Sequence, residues 1–294
     1  MTWQAIARKD FRDAVRSKWL WGLSAIFFGL FVGSAYLIGS NVQSNGNGPI
    51  TGEVFIPTLG ELVVALVVPL VAIVVAYSSI IGERESGALK LLLSLPHSRQ
   101  DVVAGKATGR STVLALPILV AMLLAAVVLV IYGVDVGPLK YFAFIGLTLL
   151  LGVTFVNLAV GVSAAASTNR RAMLGTVGLY VVLTMLWTQV RRVLLVFNDK
   201  LGLGWEQMTL VKYGLFLKFF NPIRAYETLV TRLYTDSVLS ARLYGAGRMQ
   251  RQAIAQRLGD VPVYLSDWVV LAQFLLWLLV PVALGYLVFR NSDL

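Results

Sequence analysis

Apolar residues gather along this chain into six long runs, at 19–40, 60–81, 111–133, 141–166, 172–190 and 268–289. Each is 19 to 26 residues long and nearly free of charged side chains. A helix rises 1.5 Å per residue, so about 20 residues cross the roughly 30 Å of bilayer hydrocarbon. The pattern predicts an all-α polytopic membrane protein, a single transmembrane domain over 1–294 with six spanning helices. The turn sequence Gly133-Val-Asp-Val-Gly-Pro138 separates the third and fourth runs, and the pair Arg191 and Arg192 closes the fifth. Pro69, Pro117 and Pro281 fall inside runs, where neighbouring helices can satisfy the freed carbonyls, so they read as kinks and not breaks.

Between the runs the pattern changes. Residues 1–18 place Trp3, Ile6, Ala7, Phe11, Ala14 and Val15 at helical spacing, with Arg8, Lys9, Arg12, Asp13 and Arg16 between them. This predicts an amphipathic helix lying along the membrane interface, with Trp3, Phe11 and Arg12 among its contact residues. Residues 41–58 are rich in Asn, Gly and Pro and read as an exposed loop. Within 191–267, the apolar stretch Leu210–Phe220 is too short to span and suits a re-entrant or interfacial helix. Helical periodicity then runs through Ala225, Leu229, Leu233, Leu239, Leu243 and Ile254, with arginines between. The expectation is two or three short helices resting on the membrane face.

Charge sets the orientation. The segments 41–58 and 134–139 contain no Lys or Arg, whereas 1–18 hold five and 82–110 hold five, and 167–171 adds Arg170 and Arg171. The positive-inside rule puts both termini, 82–110 and 167–171 in the cytoplasm, and 191–267 outside. That outer segment carries eleven basic residues, but at 77 residues it exceeds the length of about 60 over which the rule is strong. The predicted location is the plasma membrane, multi-pass, with no cleavable signal peptide ahead of the first run.

Composition fits this picture: 57% of residues are hydrophobic and 14% charged, against about 25% in soluble domains. The net charge of +10 would point to nucleic acid in a soluble protein. Here it is explained by basic residues flanking spans beside anionic lipid headgroups, so membrane lipid and not nucleic acid is the expected partner. The absence of cysteine excludes disulfides, thiolate metal sites and a cysteine nucleophile. No phosphate-binding GxxxxGK[ST] sequence occurs, and no ionisable residue sits in the middle of a run. Glu61 lies at a run's edge, and the single histidine, His97, reads as a loop residue. An enzyme, or a carrier coupled to an ion relay, is disfavoured; no catalytic, metal or cofactor site is expected in this chain.

The informative segment is 82–110. Glu83 and Glu85 come first, as suits a helix N-terminus, and Leu89, Leu91, Leu92, Leu93 and Leu95 follow within about two turns. Pro96 ends the stretch, and Ser98 can cap a second helix through Asp101, Val102 and Val103. A short leucine-rich helix between two spans must bury its leucines, either on the chain's own helix ends or in a groove of a cytoplasmic partner.

The run Gly82-Glu-Arg-Glu-Ser-Gly-Ala-Leu-Lys-Leu-Leu-Leu-Ser-Leu-Pro96, with Ser98-Arg99 and Gly105-Lys106, resembles the signature between spans two and three of type-2 ABC exporter permeases. It is most similar to the subgroup that includes the permease for nitrous oxide reductase maturation. Ile6 to Lys18 resembles that family's N-terminal helix, and Asn221-Pro-Ile-Arg-Ala-Tyr226 a motif of its outer segment; Ala88 stands where the family often has Thr. The resemblance implies a permease subunit paired with a second one, as homo- or heterodimer, and two soluble ABC ATPase subunits that bind the ATP and Mg. It further implies that 83–95 is the coupling helix, with Glu83, Arg84, Glu85, Ser86, Gly87, Lys90, Leu91, Leu92, Pro96 and Arg99 facing the ATPase. A non-transporting scaffold or sensor, whose outer helices bind a partner or lipid, is the alternative reading.

Overall fold

The computed structural model describes residues 3–45, 56–57, 59–94, 98–243 and 262–292, and among these every regular element is helical. Helices α1 (Trp3–Val15) and α2 (Lys18–Asn45) come first. A π-helical turn (Gly60–Val64) then leads into α3 (Ala65–Ala76), followed by two short helices, α4 (Ile81–Glu85) and α5 (Ala88–Ser94). Next are α6 (Arg99–Ile131), α7 (Pro138–Ala165) and α8 (Asn169–Thr184). After a 3-10 turn come α9 (Val190–Lys200), α10 (Gln207–Phe220), α11 (Pro222–Leu233), α12 (Val238–Arg242) and α13 (Asp267–Arg290).

Five segments are long and apolar enough to cross a bilayer: Leu20–Ser40, Ala65–Glu85, Arg99–Ile131, Pro138–Ala165 and Asp267–Arg290. A sixth is made by α8 together with 186–200, if that bent pair is one span. Several helices start at a residue chemically fitted to start them. Ser98 and Asp101 form a reciprocal capping box for α6, Thr168 accepts from the Arg171 N–H, and Ser266 accepts from the Val269 N–H. Pro138 and Pro222 occupy first-turn positions of α7 and α11, where the missing N–H costs nothing.

Two helices differ from a reading of the apolar runs. The cap at Ser98 does not open a separate helix: α6 runs 33 residues without interruption, about 50 Å, and carries Gly105, Gly109 and Pro117 inside it. Its first turns therefore project well beyond a hydrocarbon layer of about 30 Å. The run 172–190 is not one straight helix. α8 ends at Thr184, and the chain bends by 45° before α9. Bonds to α10 and the start of α11 hold the bend: Asn221 Nδ2 donates to Leu183 O at 2.6 Å, and Trp187 Nε1 donates to Leu217 O at 3.0 Å.

The three internal prolines leave their helices continuous. In α13, Pro281 removes the donor for the Trp277 carbonyl. Asn157 of α7 reaches across to donate to the next carbonyl, Leu278 O, at 2.8 Å. Close by, α7 and α13 touch backbone to backbone. A Cβ on Gly161 would run into Pro281 O, and one on Gly285 would run into Gly161 O.

α7 is the central element, packed against α3, α6, α8, α11 and α13. The packing of α11 was not anticipated. It does not rest on a surface but is lodged among α7, α13 and α3, with Tyr226 fully buried and its hydroxyl 3.1 Å from Thr148 Oγ1. Its small and apolar positions (Ile223, Ala225, Leu229, Val230) run round most of its circumference, and Thr228 and Thr231 bond to nearby carbonyls. Pro96, His97, most of the loop 41–58, and the arginines and Ile254 of 244–261 lie outside the described residues.

Candidate functional site

The site forms where the N-terminal helix meets the first turns of α6. Gly105 and Gly109 are one helical turn apart, and α1 crosses them closely: a Cβ on Gly105 would sit 2.7 Å from Ile6 Cβ, and one on Gly109 3.0 Å from Asp10 Cβ. Larger residues would hold the two helices apart. At this distance the carboxylate of Asp10 reaches both basic residues of the same α6 segment. Lys106 Nζ is 2.8 Å from Asp10 Oδ1, and Arg110 Nε is 2.8 Å from Asp10 Oδ2. A second acid completes the group, with Lys106 Nζ 2.6 Å from Glu83 Oε1 of α4.

Two cations and two carboxylates are thus collected from three stretches far apart in sequence. Lys106 and Asp10 are only 5% and 6% exposed, Glu83 and Arg110 23% and 29%. Burying such charges is expensive unless they are paired, and the two cations and two carboxylates balance. Arg110 also donates to Val75 O near the end of α3, at 3.2 Å, where the helix dipole favours a cation.

The rest of segment 81–99 is tied to the bundle at three further points. Glu85 Oε1 accepts from the Asn169 N–H at 2.7 Å, an anion on the first turn of α8. The Arg99 guanidinium donates to Phe289, Arg290 and Ser292 carbonyls at 2.5, 2.9 and 2.8 Å, a cation closing the C-terminus of α13. It also lies over the Phe289 ring, 5.3 Å from its centroid. At the upper end of the segment, Ser163 Oγ of α7 accepts from the Ile80 and Ile81 N–H groups, both at 3.2 Å, and so starts α4. Segment 81–99 therefore has a mechanical link to α1, α6, α7, α8 and α13.

Between these links lies α5, reached through Gly87 at φ +75°, a conformation that favours glycine. Its two faces differ. Leu89 is fully buried, and Leu92 and Leu93 pack on the core. Lys90 and Leu91 point away, with Leu91 73% exposed. Ser86 is exposed at the turn before α5, and Arg84 is half-buried. The two destinations considered for the leucines thus apply to different residues: Leu89 is taken up by the chain itself, while Leu91 is left open. On α1, Trp3 and Arg12 are exposed and Phe11 is half-buried. The inward residues of that helix are Ile6 and Asp10.

The site therefore joins Glu83, Glu85 and Arg99 to the bundle and leaves Lys90, Leu91 and Ser86 on its surface. Asp10, Gly109 and Arg110 are the members that the sequence reading did not single out. Gly105-Lys-Ala-Thr-Gly109 is a small-xxx-small helix-packing pattern, and an Asp one turn after Ile6 on an otherwise apolar stripe was the matching signal on α1.

At the opposite end of the bundle lies a second buried cation. Arg242 is fully buried and donates to Leu265 O, Thr228 Oγ1 and Asp267 Oδ1 at 2.9, 3.0 and 2.6 Å. Burial lowers its pKa, and the neighbouring Asp267 carboxylate opposes that shift. Arg232 shares the same acid at 3.2 Å.

Comparison with known proteins agrees with this geometry. Residues 4–294 match the model of the family described as ABC-2 family transporter protein. The chain is 29% identical over 291 residues to a protein of Stutzerimonas stutzeri named probable ABC transporter permease protein NosY, covering 97% of both chains. It is 30% identical over 294 residues to the protein of that name from Pseudomonas aeruginosa PAO1, covering 98% of both. With a match that spans nearly its whole length, this chain belongs to the ABC-2 transporter family.

Proposed function

We propose that this chain is the permease subunit of an ATP-driven exporter, working as a pair of permeases with two separate ATPase subunits. Family membership carries the coarser statement: the chain is a transmembrane subunit of an ABC transporter in the plasma membrane, and associates with an ATPase subunit and another permease. In this reading ATP and Mg are bound by the ATPase, the present chain is no enzyme, and both termini and segment 82–110 are cytoplasmic, as their basic residues favour.

One observation carries the proposal: a short helix whose Lys90 and Leu91 face outward while its flanks are pinned to five other helices. An exposed leucine on a helix beside charged residues suits a groove on a soluble partner. Displacing that helix would move Glu83, and with it Lys106, Asp10 and α1, while Glu85 and Arg99 would pull on α8 and α13. The change in the spans would then be a rigid-body one, driven by ATP-dependent closure of the two ATPases.

Leu91→Asp tests this without touching the core, since the side chain is exposed. The variant should reach the membrane in normal amount yet no longer co-purify with its ATPase subunit, and transport should be lost. Wild-type recruitment and ATP hydrolysis with Leu91→Asp would sink the coupling role of α5, whereas failure of the unmutated chain to co-purify with any ATPase would favour a scaffold. Sidedness has its own check, because the chain contains no cysteine. On intact cells an impermeant thiol reagent should label Asp135→Cys and Lys200→Cys but not Ser86→Cys.

A further inference from the structure

α10 and α11 form a hairpin, and contacts to three spans fix how deep its apex lies. α7 and α13 run parallel, since Asn157 bonds to Leu278 O and Gly161 meets Pro281. Trp277, about 15 Å into α13, donates its indole N–H to Phe220 O at 2.7 Å. Thr148, about 15 Å into α7, has its hydroxyl 3.1 Å from that of Tyr226. Leu183, about 21 Å along α8 from the opposite end, accepts from Asn221 at 2.6 Å. α7 is about 42 Å long, so the junction of α10 and α11 lies near mid-bundle. From there α11 climbs about 18 Å to the end away from α1, where the Tyr234 hydroxyl donates to Val136 O.

The hairpin carries charge to that depth. From 221 to 231 every residue is buried except Arg224 and Glu227. These two stand a turn apart on one face, with Arg224 Nη1 3.0 and 2.7 Å from the Glu227 oxygens. Their side chains are 25% and 15% exposed. Counted down from Tyr234, Glu227 is about 10 Å and Arg224 about 15 Å into the bundle. A helix of about 42 Å overhangs a hydrocarbon layer of about 30 Å by about 6 Å at each end, so both charges lie at the level of lipid tails. The apolar runs bring no such group to mid-span; the hairpin does.

Whatever faces this pair has to hydrate it. A guanidinium has several N–H donors, and Glu227 occupies those of one nitrogen; the others need acceptors that hydrocarbon lacks. Ionisable groups at membrane depth are stable where they line water or a polar path. We propose that the Arg224–Glu227 face lines a water-filled cleft, open at the end away from α1, along which a polar or ionised solute reaches mid-bundle. This does not depend on the coupling role of α5.

Single thiols test it directly, because the wild-type chain has no cysteine. In intact cells holding the full-length protein, the probe is an impermeant, charged methanethiosulfonate. Arg224→Cys and Glu227→Cys should react within about tenfold of the rate at Asp135→Cys, in the exposed turn before α7. Leu279→Cys, at similar depth on the exposed side of α13, should react about a hundredfold more slowly and be labelled instead by a lipid-soluble pyrene maleimide. If the two pair positions follow Leu279→Cys, they face lipid; if they resist both reagents, a second copy seals them. Either result overturns the proposal. Silence at Asp135→Cys means instead that this end faces the cytoplasm; the sidedness reading then falls, and the same comparison on inside-out vesicles decides the cleft. Should the single variants misfold, Glu227→Cys combined with Arg224→Gln removes both charges and probes the same face.

Discussion

Two buried cations, one at each end of the bundle, are stabilised by different means. Lys106 sits between two carboxylates, from α1 and α4, and the cluster is balanced charge for charge. Arg242 shares one carboxylate, itself 37% exposed, with Arg232, and relies on a carbonyl and a hydroxyl for the rest of its donors. The partners of Lys106 are 96 and 23 residues away, whereas those of Arg242 lie within 25. A charge-balanced cluster assembled from remote segments couples those segments to one another. A cation satisfied by nearby backbone closes a local loop. The first arrangement suits the relay of movement proposed above; the second suits a compact helical insertion that has to be held in place.

The sharpest way to break this contrast is to remove each cation. Lys106→Met leaves two carboxylates, Asp10 and Glu83, with Arg110 as their one remaining cation, and should cost about 3–5 kcal/mol, the range for breaking a buried pair. Its thermal unfolding midpoint should fall steeply, and α1 should become sensitive to protease. Asp10→Asn combined with Lys106→Met removes both charges and should recover much of the loss. No recovery in the double variant would show that the pair is not the source of the stability.

Arg242→Met should do less. Asp267 can turn to water and keeps Arg232, and the Thr228 hydroxyl still donates to Ala241 O, so the main penalty is the unsatisfied Leu265 carbonyl, about 1–3 kcal/mol. The disturbance should stay at that end: protease resistance of α1 should match wild type. An equal effect of the two variants on α1 would erase the distinction between relay and clasp.

How far the sequence foretold these two ends differs for physical reasons. Runs of twenty apolar residues are a local signal, and so is the Ser98–Asp101 cap; both mark helices that are present. The ion-paired junction was half legible. Glu83 and the Gly105-Lys106 pair stood out, but nothing near Asp10 says that its partner lies 96 residues on. The bend at Met185 was hidden because the apolar run from 172 continues past it. Its cause is Asn221 and Trp187 bonding across to Leu183 and Leu217. α11 misled in the opposite direction. Arg224 and Arg232 gave it the look of a surface helix, yet Arg224 pairs with Glu227 and Arg232 with Asp267, which frees the rest of its circumference for burial.

A milder probe separates the junction's anchors from one another. Arg99 is half-buried and closes α13 through three carbonyls, an arrangement that solvent can partly replace. Arg99→Gln should therefore cost only about 1 kcal/mol, the scale of a cation at a helix C-terminus. If segment 81–99 relays movement to α13 through this residue, the effect on function should exceed the effect on stability. Transport should fall while ATPase recruitment, proposed above to depend on the outward face of α5, stays intact. Lys at the same position restores the charge but gives up the planar guanidinium that lies over the Phe289 ring and sets the position of the Nη1 donor, so Arg99→Lys should rescue only part of the transport. Full transport in Arg99→Gln would confine the relay to Glu83 and Glu85.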